Sequence, residues 1–586
     1  MKIARDKVVS RIFWAAGILI LILYPLRHVN MGVDLWDAGY NYANFRYSGL
    51  KYMDSMWYFA TWLANQWGTF LTKLPFGDTM LGMNIYTGLM VSLMAVLSWV
   101  FAVKKLHVPA WIGFVGEVMA ISLCWAPTAV LYNYLTYGFL LAGTMLLYHG
   151  LTTDRTGFLV AAGVLLGANV AVRFSNLPQA ALIIAVWGYG WICRKKFSKV
   201  MKETGFCILG YAGAFGAYIL FMSAVYGFSD YAEGIMRLFG MTETAQDYAP
   251  MYMLKELFDT YYQCSYWLKR LAFIAAGGLL VCAVLPRKWV KMKKSLIVVM
   301  TLIVTAWLLK LGYCYRDYHV YDSIFDPCVT VLTLLLLFSV YLLVSRLSSK
   351  EEKLMAILMV VTVLITSLGS NNAVYSSINN LFLVMPWFLG SIWKFFRERK
   401  AVWYFPFQSI MATAVILLLV QSLNFGTTFV YEQATGARTL DTTIEEVPTL
   451  KGMKTSAEKA VALTELYTYF SENPQSDRTC LLYGQIPAVA YYMDIPPAMN
   501  TWSDLSSYTL TTMRRDLEAL SQRIEAGEPK PTIILEETLL LAFEPAAIET
   551  LTTPGITQQK LLLIQAFMEK YGYTNTYNNE LFAVFE

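Results

Sequence analysis

Thirteen apolar segments separated by polar connections leave this chain few folds to choose from. They run near 12–26, 79–103, 110–131, 135–151, 157–172, 177–193, 204–227, 270–286, 295–312, 328–345, 354–369, 380–396 and 402–423. A helix of about 20 residues crosses the roughly 30 Å hydrocarbon layer of a bilayer, and most of these segments approach that length. Backbone in lipid must satisfy its own hydrogen bonds, so the expected architecture is a polytopic α-helical bundle of about thirteen spans. Of 586 residues, 57% are hydrophobic and 15% charged, which excludes an ordinary soluble domain. The net charge of +5 comes from short basic clusters between segments, with no basic stripe of the kind a nucleic-acid partner requires.

Those clusters set the topology. The opening MKIARDKVVSR holds four cations before the first segment and no small-residue cleavage site after it, so it reads as a retained anchor starting in the cytoplasm. Alternate counting then puts Lys104–Lys105, Thr152–Arg155, Arg194–Lys199, Arg287–Lys294, Arg346–Lys353 and Lys394–Lys400 inside, as the positive-inside rule demands. The multi-span membrane domain covers residues 1–423, and the polar remainder, 424–586, falls on the extracytoplasmic side. In that tail the pattern predicts helices at 456–471, 510–526 and 558–570. Strands are predicted at Thr479–Tyr483, Thr532–Glu536, Tyr573–Tyr577 and Leu581–Phe585, which makes a small α/β domain.

The chemistry concentrates in loops on the outer side. The first, 27–78, contains GVDLWDAGYNYANFRY, Gly32 to Tyr47, with two carboxylates in a field of aromatics. On a helix, Asp34 and Asp37 share a face, an arrangement suited to proton abstraction or cation binding. Asp also caps helix N-termini well, so the residues alone leave both readings open. Tyr40 follows as a substrate contact. A helical stripe through Met53, Trp57, Ala60, Ala64, Trp67 and Leu71 then describes a helix in the plane of the membrane interface or one packed beneath the tail.

The loops 228–268 and 312–327 are rich in Tyr, Asp and Glu. The latter, with its flank, gathers Lys310, Arg316, Asp317, His319, Asp322 and Asp326, a mixture that suits a phosphate head group, held directly or through a divalent cation, or else a solvated loop. Asn371 and Asn372, in the polar turn 369–380, are placed to meet sugar hydroxyls or simply to connect two spans. Arg173 ends one span, where it can hold a lipid phosphate or snorkel to the interface. Glu117 lies inside the third span and must be paired, neutral or facing a polar cavity.

Other chemistries lack their signatures. There is no G-x-x-x-x-G-K-[ST] loop for a soluble nucleotide, no G-x-S-x-G elbow, and no zinc spacing among His28, His107, His149 and His319. The eight cysteines form no C-x-x-C pair, although Cys264, Cys314, Cys328 and Cys480 leave a disulfide open outside the cytoplasm.

The acid pair after the first span, the many further spans and the outside α/β tail resemble the GT-C superfamily of membrane glycosyltransferases. The nearest likeness is to bacterial relatives of the protein O-mannosyltransferases and of the lipid A aminoarabinose transferase. VDLWDAGY is similar to the family's catalytic first loop, which implies that Asp34 or Asp37 is the base. GVLLGANVAVRFSNLPQAALI is similar to the family's glycine-spaced span ending in a cation, which implies that Arg173 meets the phosphate of a polyprenyl-phosphate sugar. Two Asp residues separated by Leu-Trp depart from the Asp-Glu or Glu common among relatives, and no WWDYG motif is present. The implied activity is inverting transfer of a hexosyl or pentosyl group to a glycan, lipid or protein acceptor in the cell envelope. A transporter or flippase of a lipid-linked sugar is the alternative, but it predicts internal repeats and a concentration of ionisable groups within spans, whereas no repeat is found and most such groups lie at the outer boundary. A membrane scaffold is a third reading, and it leaves the acid pair unexplained.

Overall fold

The computed structural model describes residues 2–48, 55–124, 131–240, 249–284, 292–368, 372–399, 401–432, 439–499, 509–543 and 556–586. Each of the thirteen apolar segments holds a helix among these residues. Helix α1 (Lys2–Leu23) enters the first loop, which carries α2 (Asp37–Arg46), α3 (Ser55–Ala60) and α4 (Trp62–Leu71). Next come α5 (Met80–Lys105), α6 (Ala110–Leu123), α7 (Leu131–Thr153), α8 (Thr156–Val172), a 3-10 stretch Phe174–Ile183 leading into α9 (Ile184–Ile192), and α10 (Phe197–Tyr226). The chain continues through α11 (Phe228–Gly240), α12 (Pro250–Gln263), α13 (Ser265–Val284), α14 (Lys293–Lys310), α15 (Phe325–Val344), α16 (Lys350–Ser367), α17 (Val374–Asn379), α18 (Val384–Glu398) and α19 (Phe405–Thr428).

By length and apolarity alone, five stretches suffice to cross a membrane: Met80–Lys104, Phe197–Tyr226, Met251–Val284, Tyr321–Val344 and Phe405–Thr428. Shorter apolar helices stand at Ser10–Leu26, Ala110–Leu123 and Thr156–Val172. Two boundaries differ from the expectation. Only Cys264 separates α12 from α13, so that apolar run begins at Met251 and not near 270. Helix α19 continues to Thr428, five residues past the expected end at 423.

Small residues let the helices approach closely. A methyl group on Gly163 of α8 would stand 2.2 Å from the Cys207 carbonyl oxygen, and one on Gly210 of α10 would stand 2.1 Å from that of Val160. In lipid, such close backbone packing replaces the hydrophobic drive available in water.

The tail begins with a two-stranded antiparallel ribbon, β1 (Thr442–Ile444) and β2 (Met453–Thr455), which the sequence pattern does not announce. Helix α20 (Ala457–Glu472), β3 (Cys480–Tyr483), α21 (Val489–Tyr492), α22 (Leu510–Glu525), β4 (Thr532–Glu536), α23 (Ile556–Tyr571), β5 (Asn575–Asn578) and β6 (Phe582–Phe585) follow. The sheet order is β3-β4-β6-β5, with β3 parallel to β4 and the other pairs antiparallel. Strand side chains alternate between faces. Leu481, Tyr483, Ile533 and Leu535 therefore pack on α22 and α23 in one core. Cys480, Leu482, Ile534 and Val584 enter a different core, together with Val33, Leu35, Ala38, Tyr42 and Phe45 of the first loop. The tail and the first loop thus share a hydrophobic interior.

The stripe after Asp37 is not one helix: Thr61 divides α3 from α4. Met53 lies outside the described residues, and nothing is described of the Trp57 side chain. Ala64, Asn65, Gly68 and Leu71 form the buried face of α4, whereas Trp67 and Phe70 are 41% and 50% exposed. Trp67 therefore stands off the buried face of α4, which departs from a stripe packed wholly beneath the tail. Cys264, Cys314, Cys328 and Cys480 are free thiols, so no disulfide joins them.

Candidate active site

Helix α2 begins at Asp37, so Asp34 stands in the turn before it and the two do not share a helix face. The turn is tied to the tail strand by strand. Met31 pairs with Lys454 in a parallel bridge, the Gly32 N–H donates to the Lys454 carbonyl at 2.9 Å, and the Ala488 N–H donates to the Leu35 carbonyl at 2.9 Å. Gly32 has φ +88°, and a Cβ there would meet Val430 Cγ1 at 2.7 Å, so both backbone and space require glycine. Beneath it, the Glu432 carboxylate accepts from the Val33 N–H at 2.8 Å and pairs with Lys459 at 2.5 Å. Lys459 Nζ also donates to the Val33 carbonyl at 3.2 Å.

The two aspartates therefore have different surroundings. Asp34 is 4% exposed, its Oδ2 accepts from the Ala38 N–H at 2.8 Å, and the Tyr492 hydroxyl donates to its carbonyl. It works as a buried cap on the start of α2. Asp37 is exposed to solvent, yet the surrounding protein desolvates its carboxyl. Its Oδ2 accepts from the Tyr431 hydroxyl at 2.6 Å, and its carbonyl accepts from Asn41 Nδ2 at 2.7 Å. Desolvation raises both carboxyls above the ordinary aspartate range; Asp37 raises Asp34 further, and the Tyr431 hydrogen bond pulls Asp37 partly back. His28, buried beside Arg27, is pushed down to about 4, so it is neutral near pH 7.

Arg173 stands where α8 ends and the 3-10 stretch begins. An amide network holds that break: Asn169 Nδ2 donates to Gln179 Oε1 at 2.6 Å, and Asn176 Nδ2 donates to Thr136 Oγ1 at 2.9 Å. The guanidinium lies 5.2 Å from the centre of the Tyr132 ring, and Tyr132 in turn feels the charges of both Arg173 and Asp37. Arg173 makes no ion pair among the described residues. Asp37, Tyr431, Tyr132 and Arg173 thus bring a carboxylate, two hydroxyls and a cation without an ion pair among the described residues from four separate elements.

The other predicted residues fall elsewhere. Tyr40 is on α2, with its side chain outside what is described, and Asn371 lies outside the described residues. Lys310 ends α14, and Arg316 is exposed on the loop after it. His319 pairs with Asp317 at 2.8 Å. Asn372 lines a recess of about 460 Å³ with Asp322, Asp326, Glu256 and Tyr375. Glu117 is fully buried and accepts from the Ser98 hydroxyl and, at 3.4 Å, from the Leu383 N–H. That places it as a support for the start of α18, where Leu383 has φ +63°.

As for a divalent cation, no three His, Cys, Asp or Glu side chains gather to hold one among the described residues, and one oxygen of Asp34 is committed to its cap.

Fold and site define the class: a multi-pass membrane protein whose first loop and tail share one hydrophobic interior. No protein-family model and no curated protein matches the chain. Among solved structures, it is similar to the Archaeoglobus fulgidus oligosaccharyltransferase tethered with an acceptor peptide. The identity is 12%, the TM-score 0.43, and the alignment covers 90% of this chain and 69% of that one. It is also similar to ArnT from Cupriavidus metallidurans bound to undecaprenyl phosphate, at 12% identity and TM-score 0.38, covering 98% of this chain and 97% of that one. Likeness at this level gives no residue correspondence, and the chemistry is read from the site itself.

Proposed function

We propose that the protein is an inverting glycosyltransferase of the GT-C kind that moves a sugar from a polyprenyl phosphate to an acceptor hydroxyl on the extracytoplasmic side. The observation that carries this reading is the exposed Asp37 carboxylate, raised in its affinity for protons and held by the Tyr431 hydroxyl, with the Arg173 guanidinium on the ring of Tyr132, a residue that the Asp37 charge also reaches. Asp37 accepts the proton of the acceptor hydroxyl as its oxygen attacks the anomeric carbon. The bond to the lipid phosphate breaks on the opposite face, so the configuration inverts and the phosphate gains a negative charge. Arg173 stabilises that charge as it develops. Tyr431 holds the Asp37 carboxylate in position through its 2.6 Å hydrogen bond, and Asp34 fixes the turn from which Asp37 projects.

Lys310, Arg316, His319 and Asn372 remain candidates for contacts with the acceptor or with the phosphate, and KM changes in their alanine variants test that role. The reading as a whole is tested by incubating the purified protein with polyprenyl-phosphate sugars and following release of the free polyprenyl phosphate. Movement of a lipid-linked sugar across vesicles without its cleavage would instead identify a transporter.

A further inference from the structure

A second recess, of about 490 Å³, opens at the other end of the bundle. Helix α5 connects the two ends. Met80, at its start, belongs to the core shared by the first loop and the tail, and Lys105, at its last residue, lines this recess. Its 26 residues rise about 39 Å at roughly 1.5 Å per residue, so the recess is remote from Asp37.

Its charges divide into a closed set and an open one. Lys394 Nζ pairs with Glu352 Oε1 at 2.8 Å, and Glu352 also accepts from the Ser349 N–H at 2.8 Å in the capping box of α16. Lys105 and Arg397 remain as cations, and Glu351 and Glu398 as carboxylates. None of these four makes an ion pair among the described residues. Glu351 and Glu398 line the recess together with Lys394, whose charge both of them reach. Next to it, Trp393 meets Trp111 edge-on at 5.3 Å, and these indoles are 44% and 52% exposed. Exposed tryptophans at helix ends settle at the headgroup level of a bilayer.

Two free cations beside two free carboxylates repel neither a cation nor an anion as a whole, and they match a ligand that carries one of each. An ammonium group offers the carboxylates three N–H donors, whereas a quaternary ammonium offers none. We propose that this recess binds the phosphoethanolamine headgroup of a membrane phospholipid. Lys105 and Arg397 hold the phosphodiester, Glu351 and Glu398 accept from the ammonium, and Trp111 and Trp393 flank the acyl chains. The site is independent of the transfer chemistry.

The test is native mass spectrometry of the full-length protein in detergent. Phosphatidylethanolamine, phosphatidylcholine and phosphatidylglycerol with identical chains are added one at a time, with soluble phosphoethanolamine and inorganic phosphate as further probes. The expected result is one retained phosphatidylethanolamine, bound about ten-fold more tightly than either other lipid, a difference of roughly 1.4 kcal/mol. Lys105→Gln/Arg397→Gln should abolish that retention, and Glu351→Gln/Glu398→Gln should turn the preference toward phosphatidylglycerol. All four side chains are exposed, so both variants should keep the thermal unfolding midpoint and the turnover of the parent. Equal or tighter binding of phosphatidylglycerol by the parent, or unchanged retention in both double variants, would overturn the proposal. Soluble phosphoethanolamine binding as tightly as the lipid would overturn the membrane as its source.

Discussion

Asp37 carries the proposed reaction because it combines access to solvent with a desolvated setting, and Asp34 has only the second. Asp37→Asn should lose roughly 100- to 10,000-fold in kcat, the usual worth of a general base, with an unchanged unfolding midpoint. Asp34→Asn keeps an oxygen for the Ala38 N–H and should lose far less. The pH profile separates them further. A base must be unprotonated, and Asp37 lies above the ordinary aspartate value. The acid limb of kcat/KM should therefore stand at higher pH than an exposed aspartate, near 4, would place it. Two interacting carboxylates titrate as a pair, so removing the Asp34 charge should move the limb to lower pH. Tyr431→Phe removes the hydrogen bond that favours the charged form of Asp37 and should move it to higher pH. A limb that stays put in both variants would mean that another group titrates.

Spacing alone showed the acid pair but could not divide its roles, because the i, i+3 relation matters only if both residues are helical, and α2 starts at the second. Tyr431 was invisible to sequence reasoning: it is 394 positions from Asp37 and lies in no motif. Arg173 was legible because a cation at the end of an apolar, glycine-spaced segment is conspicuous. The amides beneath it resembled any polar residues in a turn.

At the scale of elements, α2 is held by contact of its small residues with the tail. A Cβ on Gly39 would stand 2.1 Å from the Ala488 Cβ, so Gly39→Ala must push α2 off α21. Overpacking of this kind costs about 1–3 kcal/mol, and because α2 carries Asp37, turnover at a temperature well below unfolding should fall as well. Full activity with a lowered unfolding midpoint would show that α2 is only a strut. The tail's longer elements were readable from pattern. β4 appears where a β-branched, apolar run predicts it, and α20 starts after Ser456, whose hydroxyl caps it. β1 and β2 were not readable, since three-residue strands are too short to show a period. The division at Thr61 was missed because the apolar spacing continues across it.

For the whole molecule, the first loop and the tail are one body, and the Glu432–Lys459 pair is its buried fastener, with side chains 1% and 10% exposed. Removing one partner strands a charge, which typically costs about 3–5 kcal/mol. Lys459→Met should therefore lower the unfolding midpoint more than any substitution above, whereas Glu432→Gln/Lys459→Met together should recover part of the loss. A loss in the double variant equal to the sum of the Lys459→Met and Glu432→Gln losses would mean that the pair contributes nothing as a pair. Composition predicted a bundle and a separate tail, but it could not show that their interiors join, because that depends on which strand face meets Val33 and Leu35.

The most direct measurement is release of polyprenyl phosphate from a panel of polyprenyl-phosphate sugars, comparing the parent protein with Asp37→Asn, Asp34→Asn and Arg173→Gln, each checked for folding by thermal unfolding. The account predicts release from at least one donor that collapses in Asp37→Asn, falls strongly in Arg173→Gln and largely survives in Asp34→Asn. Undiminished release in folded Asp37→Asn, or none from any donor by the folded parent protein, would contradict it.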